Sequence, residues 1–168
     1  MFETSMLVLF CACMAAASVF DLARMIIPNQ LILILIAGFF VLAVSASWPA
    51  SLIGLHVAMG AIVLMATFAA FALGWMGGGD AKLIAATALW FGPTAELWDY
   101  MFLASLFGGI LTLMLLLARA CLSPTTGHVS VDRLLTSTSG VPYGVALGAA
   151  GLVVVSRFPQ MQSLFDLV

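Results

Sequence analysis

Apolar residues do not alternate with polar ones along this chain. They run in long blocks, and the polar residues collect at the seams. Six blocks are drawn at about residues 5–21, 30–47, 51–74, 81–97, 98–118 and 142–158. The seams are Pro28-Asn29, Trp48-Pro49, the glycine run Gly77-Gly78-Gly79, Gly92-Pro93 and the polar stretch 123–140, which holds no repeat. Blocks of this length suit helices that cross a hydrocarbon core of roughly 30 Å. The pattern predicts an all-α, polytopic membrane protein of about six transmembrane helices, with residues 1–168 forming a single domain.

Composition strengthens that picture. Of the 168 residues, 64% are hydrophobic and 7% charged, and the mean hydropathy is +1.24, far from a water-soluble globule. The net charge is −2 and the five bases are scattered singly, so no basic stripe offers itself to nucleic acid. Cys11, Cys13 and Cys121 make an odd count. The C-x-C pair lies on one apolar helix, where disulfide geometry is out of reach, so the cysteines read as packing residues. Ala15-Ala16-Ala17-Ser18 has the look of a signal-cleavage region, but the segment before it carries Glu3 and no base. A retained first span is expected.

The bases set the orientation. With six spans, Arg24, Lys82, Arg119 and Arg133 fall on one side and Arg157 on the other, which places the first four in the cytoplasm and both termini outside. Trp48, Trp90, Trp98 and Tyr100 gather at the opposite turns, where aromatic rings favour the headgroup level. Ala104 with Gly108, and Ser105 with Gly109, give the fifth helix small residues for close packing.

The acids carry the chemistry. Asp21 ends the first span and Asp80 opens the fourth, so the topology brings both to the cytoplasmic membrane face. Glu96 and Asp99 go to the other side. From Ala81 to Phe91 a helix covers only about 16 Å, so either the helix continues through Gly92-Pro93 or Asp80 lies below the lipid surface. Irregular backbone at that depth is tolerated when it is buried in protein or lines a wet cavity, and a carboxylate there costs about 2.5–3.5 kcal/mol on insertion scales. Two aspartates sharing a cavity would hold one carboxyl protonated and one ionised, the arrangement that activates water in acid proteases.

Plainer roles stand beside these. Asp80 suits an N-cap of the fourth helix. Asp21 faces an unfavourable helix dipole, with Arg24 three residues on as a local partner. Arg24 and Lys82 suit topological anchoring or contacts to phosphate or carboxylate, and Lys82 points away from Asp80 on a regular helix. Pro28-Asn29 reads as a turn and N-cap, or as a wall beside Asp21. Pro142 suits the start of the last helix. His56 and His128 stand in no ligand pattern, so neither a metal site nor a cofactor is expected. G-x-S-x-G and H-E-x-x-H are both missing. The loop Ser123–Ser139 reads as a solvated connector. A small proton- or cation-coupled transporter using the two aspartates, or a non-catalytic assembly factor with Asp80 as a cap, are the competing classes.

Gly77-Gly78-Gly79-Asp80 resembles the G-x-G-D motif of membrane aspartyl proteases, and "GGGDAKL" is similar to its longer form in type IV prepilin peptidases. Asp21 followed by Ile27-Pro28-Asn29 resembles that family's first-aspartate segment, and Val141-Pro142-Tyr143-Gly144 its Pro-aromatic-Gly segment. The resemblance implies an endopeptidase of the bacterial inner membrane with Asp21 and Asp80 as the catalytic pair. Gly77, Gly78, Gly79, Lys82, Pro28, Asn29, Pro142 and Gly144 would shape the site. It implies a prepilin substrate with a basic leader and an apolar helix, cut at the cytoplasmic face, with pilus assembly proteins as further partners. The chain lacks the cytoplasmic C-x-x-C domain that larger members associate with N-methylation. It is similar in size to the branch serving Flp-type pili.

Overall fold

The computed structural model describes residues 2–125, 127–136 and 139–157, with side chains from residue 5 onward. Seven helices follow one another, α1 Phe2–Arg24, α2 Asn29–Ser45, α3 Ala50–Ala72, α4 Gly78–Phe91, α5 Ala95–Cys121, α6 Val129–Leu135 and α7 Tyr143–Arg157, and no strand occurs among the described residues. Three segments, Ser5–Arg24, Ala50–Ala72 and Ala95–Cys121, are long and apolar enough to cross a membrane, while α2 and α7 are apolar but shorter. The chain is an all-α integral membrane protein. The C-terminal end, expected outside the cell, lies beyond the described residues.

Six helices correspond to the six apolar blocks, with two departures. The block 81–97 is not one helix. Gly92 takes φ 62° and ψ −161°, a region that essentially only glycine occupies, and Pro93 follows, so α4 stops at Phe91 and Ala95 already belongs to α5. The 14 residues of α4 therefore reach only about 21 Å. The second departure is α6, which forms inside the stretch expected to be a solvated connector.

α4 is the hub. Ala81 and every residue from Leu83 to Phe91 are buried, because α3 covers one side while α2 and α7 cover others. α1 lies against α7 and α2, and α5 leans on α7. The α1–α7 contact depends on small residues: a Cβ at Gly148 would stand 2.5 Å from the Met14 carbonyl oxygen and strike the Ser18 hydroxyl. Close backbone approach of this kind is how helices gain dispersion contacts in lipid, where no hydrophobic force drives them together. Phe10 of α1 meets Trp90 and Phe91 of α4 at ring-centroid separations of 5.2 and 5.7 Å. At the same end, Trp90 Nε1 donates to the Leu35 carbonyl at 2.9 Å. His56 Nδ1 bonds the Leu89 carbonyl at 2.9 Å, and its ring stacks on Phe39 at 5.6 Å.

The other end of the bundle carries four of the five bases, Arg24, Lys82, Arg119 and Arg133, and backbone carbonyls hold two of them. Arg119, at the end of α5, donates to the carbonyls of Leu134, Ser139 and Gly140 at 2.8, 3.0 and 2.9 Å. Arg133 of α6 donates to Ala23 O of α1 at 3.1 Å. These bonds strap α6 across the basic end and tie it to the segment that leads into α7. Lys82 donates to Asn29 Oδ1 at 2.9 Å, joining α4 to the first turn of α2. Arg24 lies over the Phe20 ring, 5.7 Å from its centroid, rather than beside Asp21 as its spacing suggested.

Candidate active site

On α1 the positions facing the bundle are Phe10, Cys13, Met14, Ala17 and Asp21, all buried. This is the spacing of one helix face, so an aspartate stands where the pattern calls for another apolar residue. It is 6% exposed. The next backbone turn ends α1: Met25 adopts φ 55° and its N–H returns to the Asp21 carbonyl at 2.7 Å, a left-handed helix stop usually made by glycine.

The Asp21 side chain finds its partner on α7. The Gly144 N–H donates to Asp21 Oδ2 at 2.6 Å. Gly144 is the second residue of α7, in the first turn, whose N–H groups have no acceptor within their own helix. A carboxylate from α1 thus completes the start of α7. A Cβ on residue 144 would stand 2.9 Å from Asp21 Cβ and Oδ2, so the close approach requires glycine. Pro142, fully buried, immediately precedes the helix.

Asp80 sits in the first turn of α4, not at its cap. Gly77 is the N-cap, in extended conformation, and Asp80 is the third helical residue. Its carboxylate folds back onto the Gly77 backbone, the geometry of the returning half of a capping box. The three glycines have different neighbours. Space at Gly77 is filled by the Asp80 carboxylate, at Gly78 by the Phe71 ring of α3, and at Gly79 by Ile27 from the α1–α2 connection. Side chains here would push away the two elements that hold the start of α4.

Both carboxylates open into one cavity of about 1060 Å³. Its walls come from the ends of α1 and α4, from the glycine run, from Gly140 and Val141 ahead of α7, and from facing positions on α3 and α5 such as Thr67, Ala70, Met101 and Ala104. The electrostatic field of Asp21 reaches Asp80. Of the other residues singled out from sequence, Gly77 lines the cavity, and Gly144 and Pro142 stand directly behind Asp21 and Tyr143. Gly78 and Gly79 support the start of α4 from outside the cavity. Lys82 and Asn29 are engaged with each other, and Pro28 is the N-cap of α2, where Asn29 had been expected to cap. Sequence reasoning passed over Tyr143 as a site residue, although it lines the cavity with the two acids. Its signal lay in the same four-residue segment as Pro142 and Gly144.

Among the described residues no three His, Cys, Asp or Glu side chains gather as a metal-binding group. What the cavity does present is a pair of carboxylates, one from α1 and one from α4, lining the same largely apolar space.

Compared with curated proteins and with solved structures, the chain has no match. Residues 8–117, a span that holds both aspartates and more than half of the sequence, match the profile of the type IV leader peptidase family, and the chain belongs to that family.

Proposed function

We propose that this peptidase is an aspartic endopeptidase that removes the leader from type IV, Flp-like prepilins, with Asp21 and Asp80 as its catalytic pair. The observation that carries the reading is the convergence of these two carboxylates, from α1 and α4, on one cavity. The ionised carboxylate takes a proton from water as the water oxygen adds to the scissile carbonyl carbon. The neutral carboxyl hydrogen-bonds the carbonyl oxygen. Collapse of the tetrahedral adduct restores the carbonyl and breaks the C–N bond. The amine leaves with a proton from the dyad, which returns to one protonated and one ionised carboxyl.

The walls suit the substrate class. α3 leans on α4 and α5 on α7, with little direct contact between α3 and α5. The cavity between them has an apolar lining, including Ala70, Met101 and Ala104, that runs to the carboxylates. An apolar helix would enter there, with the leader boundary unwound at Asp21 and Asp80, since a helical peptide carbonyl is hidden in its own hydrogen bond. Arg24, Lys82, Arg119 and Arg133 share the end of the bundle that holds the carboxylates. Under the positive-inside bias that end is cytoplasmic in a bacterial inner membrane and the chain termini are external.

The test follows a prepilin of the same host by gel shift in membranes carrying Asp21→Asn or Asp80→Asn, with membrane insertion checked in parallel. Each variant should lose at least about 100-fold in cleavage rate. Normal cleavage by both would overturn the reading, and charge-dependent ion flux without cleavage would replace it with transport.

A further inference from the structure

In the proposed reaction the neutral carboxyl gives the scissile carbonyl oxygen one hydrogen bond, a second donor would stabilise further the charge that develops there, and the hydroxyl groups on the cavity wall differ in what they are free to do. Four line it: Thr67, Ser105, Thr112 and Tyr143. Thr67 Oγ1 donates among the carbonyls of Val63, Leu64 and Ala81 at 2.9, 3.2 and 3.2 Å. Ser105 donates to Met101 O at 2.8 Å, and Thr112 to Gly108 O at 2.8 Å. Such back-bonding takes up the single hydroxyl proton. The Tyr143 hydroxyl has no acceptor among the described residues. The indole N–H of Trp75, another donor on the wall, belongs to a side chain that is 78% exposed.

The phenol is also held in place. Its ring crosses from α7 to α5 and lies on Gly108, where an added Cβ would collide with the ring and its hydroxyl. The neighbouring residue in sequence, Gly144, carries the N–H bound to Asp21. One turn of α7 therefore sets both the position of Asp21 and the direction of the Tyr143 hydroxyl. Gly108, read from sequence as a packing residue, is the socket that lets the ring pass.

Resting on the aspartic peptidase reading above, we propose that Tyr143 is a third catalytic residue, whose hydroxyl donates a hydrogen bond to the scissile carbonyl oxygen as it becomes an oxyanion. No proton is transferred from the phenol. As water adds to the carbonyl carbon and gives its proton to the ionised carboxylate, the carbonyl π pair moves to oxygen, where the hydroxyl proton of Tyr143 meets it. The bond weakens again when the C–N bond breaks.

The experiment is Tyr143→Phe, which removes one oxygen and keeps the ring over Gly108. With a prepilin of the same host in detergent micelles, kcat should fall roughly 100-fold, the usual cost of one oxyanion donor, while KM stays within about twofold. A hydroxyethylene isostere spanning the leader junction should lose affinity by a factor comparable to the loss in kcat/KM. Wild-type kcat in Tyr143→Phe, or a raised KM with kcat unchanged, would overturn the proposal. The dyad reading would survive that result as long as Asp21→Asn and Asp80→Asn remain inactive. Should Tyr143→Phe fail to accumulate as folded protein, Gly108→Ala displaces the hydroxyl without removing it. That variant should weaken isostere binding far more than substrate binding, and equal weakening of both would sink the idea.

Discussion

The Gly144 N–H and the Asp21 carboxylate, 123 positions apart in the chain, are joined by a hydrogen bond of 2.6 Å. The acid at the end of α1 is thereby held by the start of α7, and a glycine is required at the point of contact. A methyl group at residue 144 would stand 2.9 Å from Asp21 Oδ2 and 3.0 Å from Cγ, inside any tolerable contact. Gly144→Ala should therefore insert normally and keep its helix content by circular dichroism, yet lose cleavage roughly 100-fold, the cost of misplacing a reacting group by about an ångström. Retained cleavage in Gly144→Ala would mean that Asp21 does not need this position.

The bond also shows where sequence reading stops. Asp21 and Asp80 stand out because acids are costly in apolar blocks, and the six blocks themselves announce helices by length and hydropathy. Gly144 could be singled out only through resemblance to a segment of other chains, since nothing local links residue 144 to residue 21. Asp80 was legible as part of a helix start but not as its third residue, because cap and first turn differ by a rotation that glycine-rich sequence leaves open. The break of α4 at Gly92 was one of two alternatives until the left-handed backbone there decided it. The polar stretch 123–140 looked like a connector because its restraints, Arg119 and Arg133 on backbone carbonyls, leave no mark on the acceptor residues' identity.

Arg119 offers the next prediction. Its guanidinium serves three carbonyls, that of Leu134 in α6 and those of Ser139 and Gly140 between α6 and α7, and hydrogen bonds from a charged donor contribute about 1.5–3 kcal/mol. Arg119→Ala should speed amide hydrogen exchange in residues 134–136, 139–141 and 143 by about 10- to 100-fold, with exchange in the middle of α4 unchanged. Arg119→Lys, a point donor without the fork, should recover only part of the protection. Exchange indistinguishable from wild type would show that the strap is not held by this residue.

The Lys82–Asn29 bond, 2.9 Å and exposed, makes a smaller claim. Lys82→Ala and Asn29→Ala should each lower stability slightly, and the double variant should cost less than the sum, with a coupling of about 0.5–1 kcal/mol in a double-mutant cycle. Cleavage by Lys82→Ala should stay within a few-fold of wild type, because the ammonium is turned to α2 and does not line the cavity. Complete loss of cleavage in folded Lys82→Ala would assign it a part in the chemistry that its position does not suggest.

Gly92 combines two constraints that a single substitution confounds and a cycle separates. Its backbone, φ 62° and ψ −161°, lies where a Cβ costs about 1–3 kcal/mol whatever the surroundings. In addition, a Cβ there would stand 2.6 to 2.8 Å from three atoms of the His56 imidazole, a ring fixed by its bond to the Leu89 carbonyl and by stacking on Phe39. Gly92→Ala should therefore lower the thermal midpoint in micelles by more than the backbone alone explains. In a His56→Ala background, where the ring is gone, the same substitution should cost only the backbone share. Equal costs in the two backgrounds would remove the steric share, and a cost that vanished with the ring would remove the backbone share. Below the melting transition, cleavage per folded molecule should be unchanged by Gly92→Ala, since this corner, with its aromatic packing, lies at the end of α4 away from Asp80, and the peptide bond to be cut is set at the other end.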